Sequence, residues 1–253
     1  MSNSKIPGMA AGLLLYLVIA DIVVMILAIA SRALFDLAPI KAFYPFFYGV
    51  QVALLLALLA MLQLGYSLLK KKPAIRKPAM MAAILGIAPL FVSLATVGVS
   101  GFKAPMIHDI TTDMEDPPKF GILSAMRSAE ENSLDYAGDE VANQQKDFYP
   151  DVKALRTDMS RDLAFRTALQ TARDMGWQMA VEDEASGMIE ASDKSKIFGF
   201  VDDVVIRVKS EAGGSRIDLR SVSRVGKSDL GVNAERIIKF CEMFQQRMPA
   251  QGS

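Results

Sequence analysis

The segment from Arg220 to Asp229 carries the side chains best suited to binding chemistry. It leaves a predicted strand, passes Gly226 and enters a predicted helix. Free N–H groups and the positive dipole end at the start of a helix can hold an anion. Two arginines, a lysine and a serine can add hydrogen bonds, so the segment is a candidate anion-binding site formed by Arg220, Arg224, Lys227 and Ser228.

A simpler interpretation of the same segment is structural. Ser228 or Asp229 caps the helix, and Arg224 pairs with a carboxylate of the domain such as Asp203. Helix caps are far commoner than anion sites, and Asp229 would repel an anion. We therefore favour the structural interpretation and keep the anion site as its alternative.

His108 is the only histidine, and Asp109 and Asp113 lie close to it in sequence. A histidine with carboxylates can bind a metal or act as a base. No cysteine or second histidine accompanies this group, so a transition-metal shell has little support. The favoured role is to hold an extended segment against the domain. We predict no catalytic residue, no metal and no cofactor.

Three other acidic residues raise the same question of a chemical role. Asp202 and Asp203 are adjacent in sequence, and neighbouring residues of a strand point to opposite faces, so they could not share a proton. A turn role is favoured for them.

Asp21 lies inside an apolar stretch, where facing lipid is costly. It should face another helix, near Gln51 or Gln63, as a packing hydrogen bond, with proton relay as the alternative.

Three apolar stretches precede all these candidates except Asp21, at residues 9–31, 47–69 and 80–102. Each is 23 residues long, and a helix needs about 20 apolar residues to cross the hydrocarbon core. Only helices keep their backbone groups paired in lipid without partner strands. We predict a membrane domain over residues 1–103, in which Ala82 and Gly86 give the third helix a small-xxx-small spacing.

Basic residues in the short loops predict the orientation. The second loop carries Lys70, Lys71, Lys72, Arg76 and Lys77, whereas the first carries only Arg32 and Lys41. The positive-inside rule then places the second loop and the N-terminus in the cytoplasm. Everything after residue 102 is expected in the periplasm, with the chain in the inner membrane. The alternative, a signal peptide cut after Ala30, conflicts with the length of the apolar run and leaves the later part on the same side.

The later part has its own composition. Residues 1–103 hold nine basic and two acidic residues, which leaves a net charge of −7 for the remainder. An acidic domain repels phosphate backbones, so we expect no nucleic-acid partner. Cys241 is the only cysteine, so no intramolecular disulfide can form. The domain must depend on its own core, which about 150 residues can supply.

Periodicity divides this later part. Residues 104–150 predict an extended, irregular segment with one short helix over 122–133 and a loop over 134–150. Residues 151–253 predict an α+β domain: a helix capped by Ser160, four or five strands, and a helix that begins near Ser228 or Asp229.

Short connections make the predicted sheet antiparallel, and two amphipathic helices would cover one face as a two-layer α/β sandwich. The other face would show charged side chains to solvent or to a partner, namely Arg207, Lys209, Arg216, Asp218 and Arg220.

Three strings resemble a known family. They are Pro105-Met-Ile-His-Asp-Ile-Thr-Thr-Asp113 with Pro117-Pro118, Asp202-Asp203-Val-Val-Ile-Arg-Val208, and Ser215-Arg-Ile-Asp-Leu-Arg-Ser-Val-Ser-Arg-Val-Gly-Lys-Ser-Asp-Leu-Gly-Val-Asn233. Residues 105–248 resemble the domain of unknown function 1499 family. The resemblance implies a bacterial and plastid family that often accompanies membrane helices. It brings no established catalytic residues.

Together these features predict a membrane-anchored, non-enzymatic binding or accessory module of the cell envelope. Its partners would be the lipid bilayer and either a membrane protein or further copies of the chain. One alternative is an envelope enzyme that acts on an anionic substrate at residues 220–229. Another is a structural subunit of a membrane complex. A pocket lined by Arg220, Arg224 and Lys227 would favour a small ligand, and a flat charged sheet a protein partner.

Overall fold

The computed structural model describes residues 5–248. Its chain forms two compact units, the first ending at Gly98 and the second beginning at Val99. The first unit is a set of long apolar helices, and the second is an α+β domain.

The first unit contains three helices: α1 (Lys5–Phe35), α2 (Pro39–Leu69) and α3 (Pro73–Gly101). Each is long and apolar enough to cross a membrane, over Met9–Phe35, Pro39–Leu69 and Pro73–Ala95. The three predicted spans are thus confirmed as candidates, but α3 begins earlier than residue 80. Proline is compatible with the first turn of a helix, so Arg76 and Lys77 lie within α3, while Lys70, Lys71 and Lys72 form the short connection to it. Gly98, at φ 66°, interrupts α3 near its end.

Small side chains line the contacts between these helices. The buried positions of α2 are Ala42, Gly49, Ala53, Ala57, Ala60 and Ser67. A Cβ on Gly86 of α3 would lie 2.7 Å from the Ala53 carbonyl oxygen, so α2 and α3 approach closely at this glycine. Most large apolar side chains of the helices are exposed, as lipid-facing residues are.

Up to residue 248, the second unit contains six strands and four helices: β1 (Asp109–Thr111), α4 (Ile122–Met126), α5 (Asp139–Phe148), β2 (Leu155–Thr157), α6 (Arg161–Asp174), β3 (Gln178–Asp183), β4 (Met188–Lys194), β5 (Val201–Glu211), β6 (Gly214–Ser223) and α7 (Val232–Gln245). The strands form one antiparallel sheet in the order β1-β6-β5-β4-β3, and β2 also pairs with β6. The α+β class is confirmed.

Local chemistry explains several boundaries. Ser160 caps α6, since its Oγ accepts a hydrogen bond from the Leu163 amide. Glu211 pairs with Gly214 across the β5–β6 hairpin, and Gly213 adopts φ 84° in the two-residue turn.

Other boundaries differ from those predicted. The helix expected over 122–133 ends at Met126, and the expected loop 134–150 contains α5. Helix α7 begins only at Val232, after Ser228 and Asp229. The two extra short strands, β1 and β2, have three residues each, too few to give a periodic signal.

Alternation along the strands separates two faces. One face carries the apolar residues Ile189, Val204, Ile206, Val208, Ile217 and Leu219, all buried. Helices α6 and α7 cover it with Phe165, Ala168, Ile237, Phe240 and Phe244, and Trp177 stacks on Phe240 with ring centroids 5.7 Å apart. This layer is the hydrophobic core of the second unit. The opposite face is charged.

Helix α5 protects the edge of β1 through one side chain. The Gln145 amide accepts from the Thr111 N–H at 2.9 Å and donates to the Thr111 carbonyl at 2.7 Å. Gln145 is fully buried. Its side chain therefore takes the place of a neighbouring strand at Thr111.

We expect Gln145→Ala to lower the free energy of unfolding by roughly 2 to 4 kcal/mol, because it leaves two buried backbone groups without partners. Denaturant unfolding measures the change. Gln170→Ala is the control, since Gln170 is exposed on α6. Equal effects of the two substitutions would contradict this role of Gln145.

The second unit should also fold without the apolar helices, because its core comes from its own strands and helices. We expect a fragment of residues 104–253 to be soluble and to unfold in one cooperative transition. Calorimetry of the purified fragment tests this. Aggregation with and without reductant would show that the apolar helices supply part of the core.

Candidate functional site

The charged face of the sheet is covered by residues 112–136, which we call the strap. The five charged residues of this face were expected to meet solvent or a partner. Lys209 is exposed and Arg216 half-buried, yet Arg207, Asp218 and Arg220 are only 9%, 0% and 2% exposed. The prediction was wrong because the strap has no periodic apolar pattern and is held by ion pairs instead. Three ionic clusters join it to β4, β5 and β6.

Arg220 forms the first cluster. Its Nε and Nη2 donate to the two carboxylate oxygens of Asp109, at 2.9 and 2.7 Å. The remaining donors reach the carbonyls of Pro118, at 3.3 Å, and Leu134, at 2.8 Å. The rings of Phe120 and Tyr136 lie 5.6 and 5.5 Å from the guanidinium carbon. The guanidinium is therefore paired and stacked at once, and it holds both halves of the strap.

The ring of Tyr136 lies beside the ion pair of Arg220 and Asp109. Burial, reinforced by the charge of Asp109, raises the pKa of Tyr136 to about 12, although the charge of Arg220 opposes the change. The phenol therefore stays protonated across the physiological range.

Asp203 forms the second cluster. Its carboxylate, which is fully buried, accepts from Arg127 Nε at 2.9 Å, Arg224 Nη2 at 2.9 Å and Ser192 Oγ at 2.7 Å. Arg127 also donates to the Val222 carbonyl. Burial alone would lower the pKa of Arg224, but its hydrogen bonds and ion pair with Asp203 raise it above the ordinary value. Arg224 therefore remains charged.

Arg207 forms the third cluster with the first part of the strap. It pairs with Asp113 at 3.1 Å, Asp116 at 2.9 Å and Asp218 at 3.0 Å. Arg216 contacts Asp113 and Asp218 at 2.8 Å each. A hydrogen bond from Lys209 and the charge of Arg207 lower the pKa of the exposed Asp116. Asp113 thus helps to hold the strap on the sheet by pairing with Arg207 and Arg216.

Glu190 fixes the start of α4 without a cation. Its carboxylate accepts from the backbone amides of Gly121, Ile122 and Leu123, at 2.6, 3.3 and 2.8 Å. Free amides at a helix start favour a negative charge, so a buried carboxylate is satisfied here.

Asp202 and Asp203 do not form a turn, contrary to the prediction. Both are buried in β5, and their side chains lie on opposite faces, as adjacent strand residues must. Asp203 faces the strap. Asp202 faces α7, where it accepts from Arg236 Nη2 at 2.6 Å, and Arg236 also binds Asp193 at 2.9 Å. Each aspartate neutralises arginines on its own side.

The four residues of the anion-site hypothesis lie in different surroundings. Arg220 is buried under the strap, and Arg224 pairs with Asp203 and, at 3.7 Å, with Glu131. Lys227 is exposed and makes no ion pair within residues 5–248. Ser228 donates to the Pro105 carbonyl at 3.2 Å. The hypothesis stays a prediction, and Arg224 has the carboxylate partner that the structural interpretation required.

Asp229 occupies the start of α7. Its carboxylate accepts from the amides of Gly231 and Asn233, at 2.8 and 3.1 Å. Burial raises the pKa of Asp229, while these hydrogen bonds oppose the increase. The amides that an anion would use thus bind a carboxylate of the chain itself.

His108, Asp109 and Asp113, which were considered as one candidate site, also contact different partners. The His108 carbonyl accepts from the Ser223 amide and from Asn233 Nδ2, both at 3.0 Å, which holds the extended segment on the domain. Asp109 binds Arg220, and Asp113 binds Arg207 and Arg216. No set of three or more His, Cys, Asp or Glu residues suited to a metal occurs within residues 5–248.

Asp21 faces α2 at a glycine. Its Oδ1 would lie 3.4 Å from a Cβ on Gly49, whereas Gln51 donates to the Phe47 carbonyl within its own helix. Among the described residues, Asp21 Oδ2 has no hydrogen-bond partner. Asp21 therefore faces α2, as expected, but it lies at Gly49 and the expected hydrogen bond with Gln51 or Gln63 does not occur among the described residues.

Two open depressions lie away from the ionic clusters. One, of about 310 Å³, surrounds the β5–β6 hairpin tip. The other, of about 260 Å³, runs along α7 beside Cys241. Burial, with the charge of Glu242, raises the pKa of the Cys241 thiol to about 11, so a reactive thiolate is scarce there.

Sequence reasoning missed the strap residues Arg127 and Glu131 and the acceptor Glu190. A usable signal was present on the strands. Asp203 and Arg207 on β5, with Asp218 and Arg220 on β6, place opposite charges at period two on one face. Such alternation across neighbouring strands indicates internal ion pairs as readily as a solvent face.

A comparison with curated proteins found no match. A family model described as "Protein of unknown function (DUF1499)" matches residues 109–244, which includes the strap, the whole sheet and nearly all of α7. The match covers more than half of the chain and extends over all three ionic clusters. The chain belongs to the DUF1499 family.

Proposed function

We propose that the chain is a multi-pass inner-membrane protein whose second unit lies in the periplasm and serves as a binding or accessory module of the cell envelope. The observation that carries this proposal is the strap. It is fixed by internal ion pairs and presents an apolar pair on its outer surface, in a chain whose first unit has three helices able to anchor it in a membrane.

Charge and aromatic residues support the orientation. The basic cluster follows α2 at its C-terminal end, while stacked rings occupy its first turns, with Phe43 and Phe47 5.8 Å apart and Tyr44 and Tyr48 6.1 Å apart. Aromatic rings favour the membrane interface, and lysines favour the cytoplasmic side. In the last turn of α1, Arg32 is paired with Asp36 of the following loop at 2.9 Å.

Reporter fusions test this orientation. Alkaline phosphatase, which is active only outside the cytoplasm, should be active when fused after Ser253 and silent when fused at Pro73. A reporter active only in the cytoplasm should give the opposite pattern at the same sites. If phosphatase activity appeared at Pro73 and not at Ser253, the periplasmic assignment would be lost.

The strap supports a binding role because it exposes apolar groups at fixed positions. Ile122 and Met126 are 55% and 63% exposed, and they are four residues apart on α4, so they share one side of that helix. Glu190 and Arg127 hold the two ends of α4 on the sheet. An ordered apolar pair of this kind is suited to a partner surface.

The ionic clusters favour this function over an enzyme acting on an anion at residues 220–229. Arg220 and Arg224 already bind Asp109 and Asp203, so an anionic substrate would have to displace a carboxylate from each. A structural subunit or a homo-oligomer would use the same exposed apolar pair. The identity of a crosslinked partner distinguishes these alternatives from an accessory module.

Site-specific photocrosslinking tests the binding role in the full-length chain in its membrane. A benzophenone side chain at Ile122 or Met126 should give a discrete adduct, and one at Gln170, exposed on α6, should not. Mass spectrometry then identifies the adduct as an envelope component or as a second copy of the chain. The absence of an adduct at both strap positions, or the same adduct at all three, would refute the strap as the binding surface.

A further inference from the structure

The second unit has one end at which its first residues meet two loops. Ser228 Oγ donates to the Pro105 carbonyl at 3.2 Å, and the Asp229 amide donates to the Ile107 carbonyl at 3.1 Å. The Arg224 amide donates to the Val201 carbonyl at 3.0 Å. We call this the linker end; it comprises residues 102–108, the β4–β5 loop 195–200 and the β6–α7 loop 224–231.

The β4–β5 loop is a closed, ordered turn. The Ser195 amide donates to the Phe200 carbonyl at 2.8 Å, and the Phe200 amide donates to Ser195 Oγ at 2.9 Å. The rings of Phe198 and Phe200 lie 6.1 Å apart and brace the turn. Its outward side chains are Lys194, Lys196 and Ile197, the last 43% exposed.

The linker end is rich in lysine, whereas the second unit as a whole is acidic. Residues 104–253 carry a net charge of −7, yet four exposed lysines gather here: Lys103, Lys194, Lys196 and Lys227. The exposed acids beside them are Glu130 and Glu235, while Glu131 is paired with Arg224. Exposed apolar side chains accompany the lysines, with Met106 at 67% and Phe102 at 54%. Lysines interspersed with apolar side chains are typical of surfaces that bind a bilayer interface.

Covalent connection limits how far the linker end can be from lipid. Ten residues separate Ala95, where the third candidate span ends, from Pro105, and a fully extended chain of that length reaches roughly 35 Å. This step rests on the proposed membrane anchoring. A domain tethered so briefly meets the bilayer surface at a high effective concentration, so weak contacts suffice.

We propose that the linker end docks on the bilayer surface. Lys194, Lys196 and Lys227 bind the phosphates of anionic lipid headgroups, and Ile197 and Met106 enter the interfacial region. The contact fixes the orientation of the second unit above the membrane.

Spin labels on the full-length chain test the proposal in nanodiscs that contain phosphatidylglycerol. One label is placed at Ile197→Cys, and the control label at Ala212→Cys on the hairpin tip at the far end of β5, both in a Cys241→Ala background. Collision with oxygen, which concentrates in lipid, should dominate at position 197, and collision with an aqueous nickel chelate should dominate at position 212. Equal, water-dominated ratios at both positions would overturn the proposal.

A second comparison isolates the headgroups. Replacing Lys194, Lys196 and Lys227 by Gln should raise the nickel collision rate at position 197 several-fold in phosphatidylglycerol discs. In discs of phosphatidylcholine alone, the parent and the triple variant should behave alike. If the lysines or the lipid charge made no difference, anionic headgroups would not be the ligand and the proposal would fail. Both leaflets of the disc contain the anionic lipid, so the spin-label result does not depend on which side of the membrane the second unit occupies. A wrong orientation would therefore be detected by the reporter fusions and not by the spin labels.

Discussion

Arg220→Ala should lower the free energy of unfolding of the 104–253 fragment by about 3 to 5 kcal/mol, because it leaves the buried Asp109 carboxylate without its cation. The substitution also removes the guanidinium between Phe120 and Tyr136 and two hydrogen bonds to strap carbonyls. Denaturant unfolding gives the free energy. Hydrogen exchange should show amides of the strap exchanging faster while the amides of β4 and β5 remain protected.

The control is Arg166→Ala, which removes an arginine that is 71% exposed and paired with Glu184 on the surface. Exposed pairs contribute about 1 kcal/mol or less, so this variant should unfold nearly as the parent does. Comparable losses in the two variants, or unchanged exchange in the strap, would contradict the role given to Arg220.

Asp203→Ala should have an effect of similar size, about 3 to 5 kcal/mol, for the opposite reason: two arginines lose one buried carboxylate. Of its ion pairs, Arg224 would keep only the 3.7 Å contact with Glu131, and Arg127 would keep only its hydrogen bonds to the carbonyls of Asn132 and Val222. Thermal and denaturant unfolding of the fragment measure the loss. Asp151→Ala is the matched control, since Asp151 is exposed and has no ion pair within the described chain.

Arg224→Ala should cost less than Asp203→Ala, because Arg127 and Ser192 remain on the carboxylate. This ordering separates the two interpretations of residues 220–229. If Arg224→Ala left stability unchanged but abolished a function, the anion-site hypothesis would gain and the structural interpretation would fail.

Much of the fold was predictable because its signals are local. The apolar runs predicted three helices, and Ser160 predicted the start of α6. Alternation at Val204, Ile206 and Val208 is a local signal for β5 with its buried side. The hairpin at Ala212 and Gly213 followed from turn chemistry.

The strap was not predictable from these signals, because its contacts are distant in sequence. Asp109 and Arg220 are 111 positions apart, and Arg127 and Asp203 are 76 apart. No periodic window spans such distances, and an ion pair leaves no apolar pattern. Once a charged strand face is covered, its arginines change from candidate ligands into internal contacts, and this is why the site residues were harder to interpret than the fold.

The long reach of the strap contacts has a consequence for biogenesis. The strap leaves the ribosome, and in the proposed orientation would cross the membrane, well before β6 has been synthesised. Strand β6 supplies Arg220, Asp218 and one partner of Arg127. Until then its arginine and carboxylates have no folded surface to bind. We therefore expect the domain to acquire its structure late and in one step, after translocation is nearly complete, with the strap exposed to proteases and chaperones in the interval.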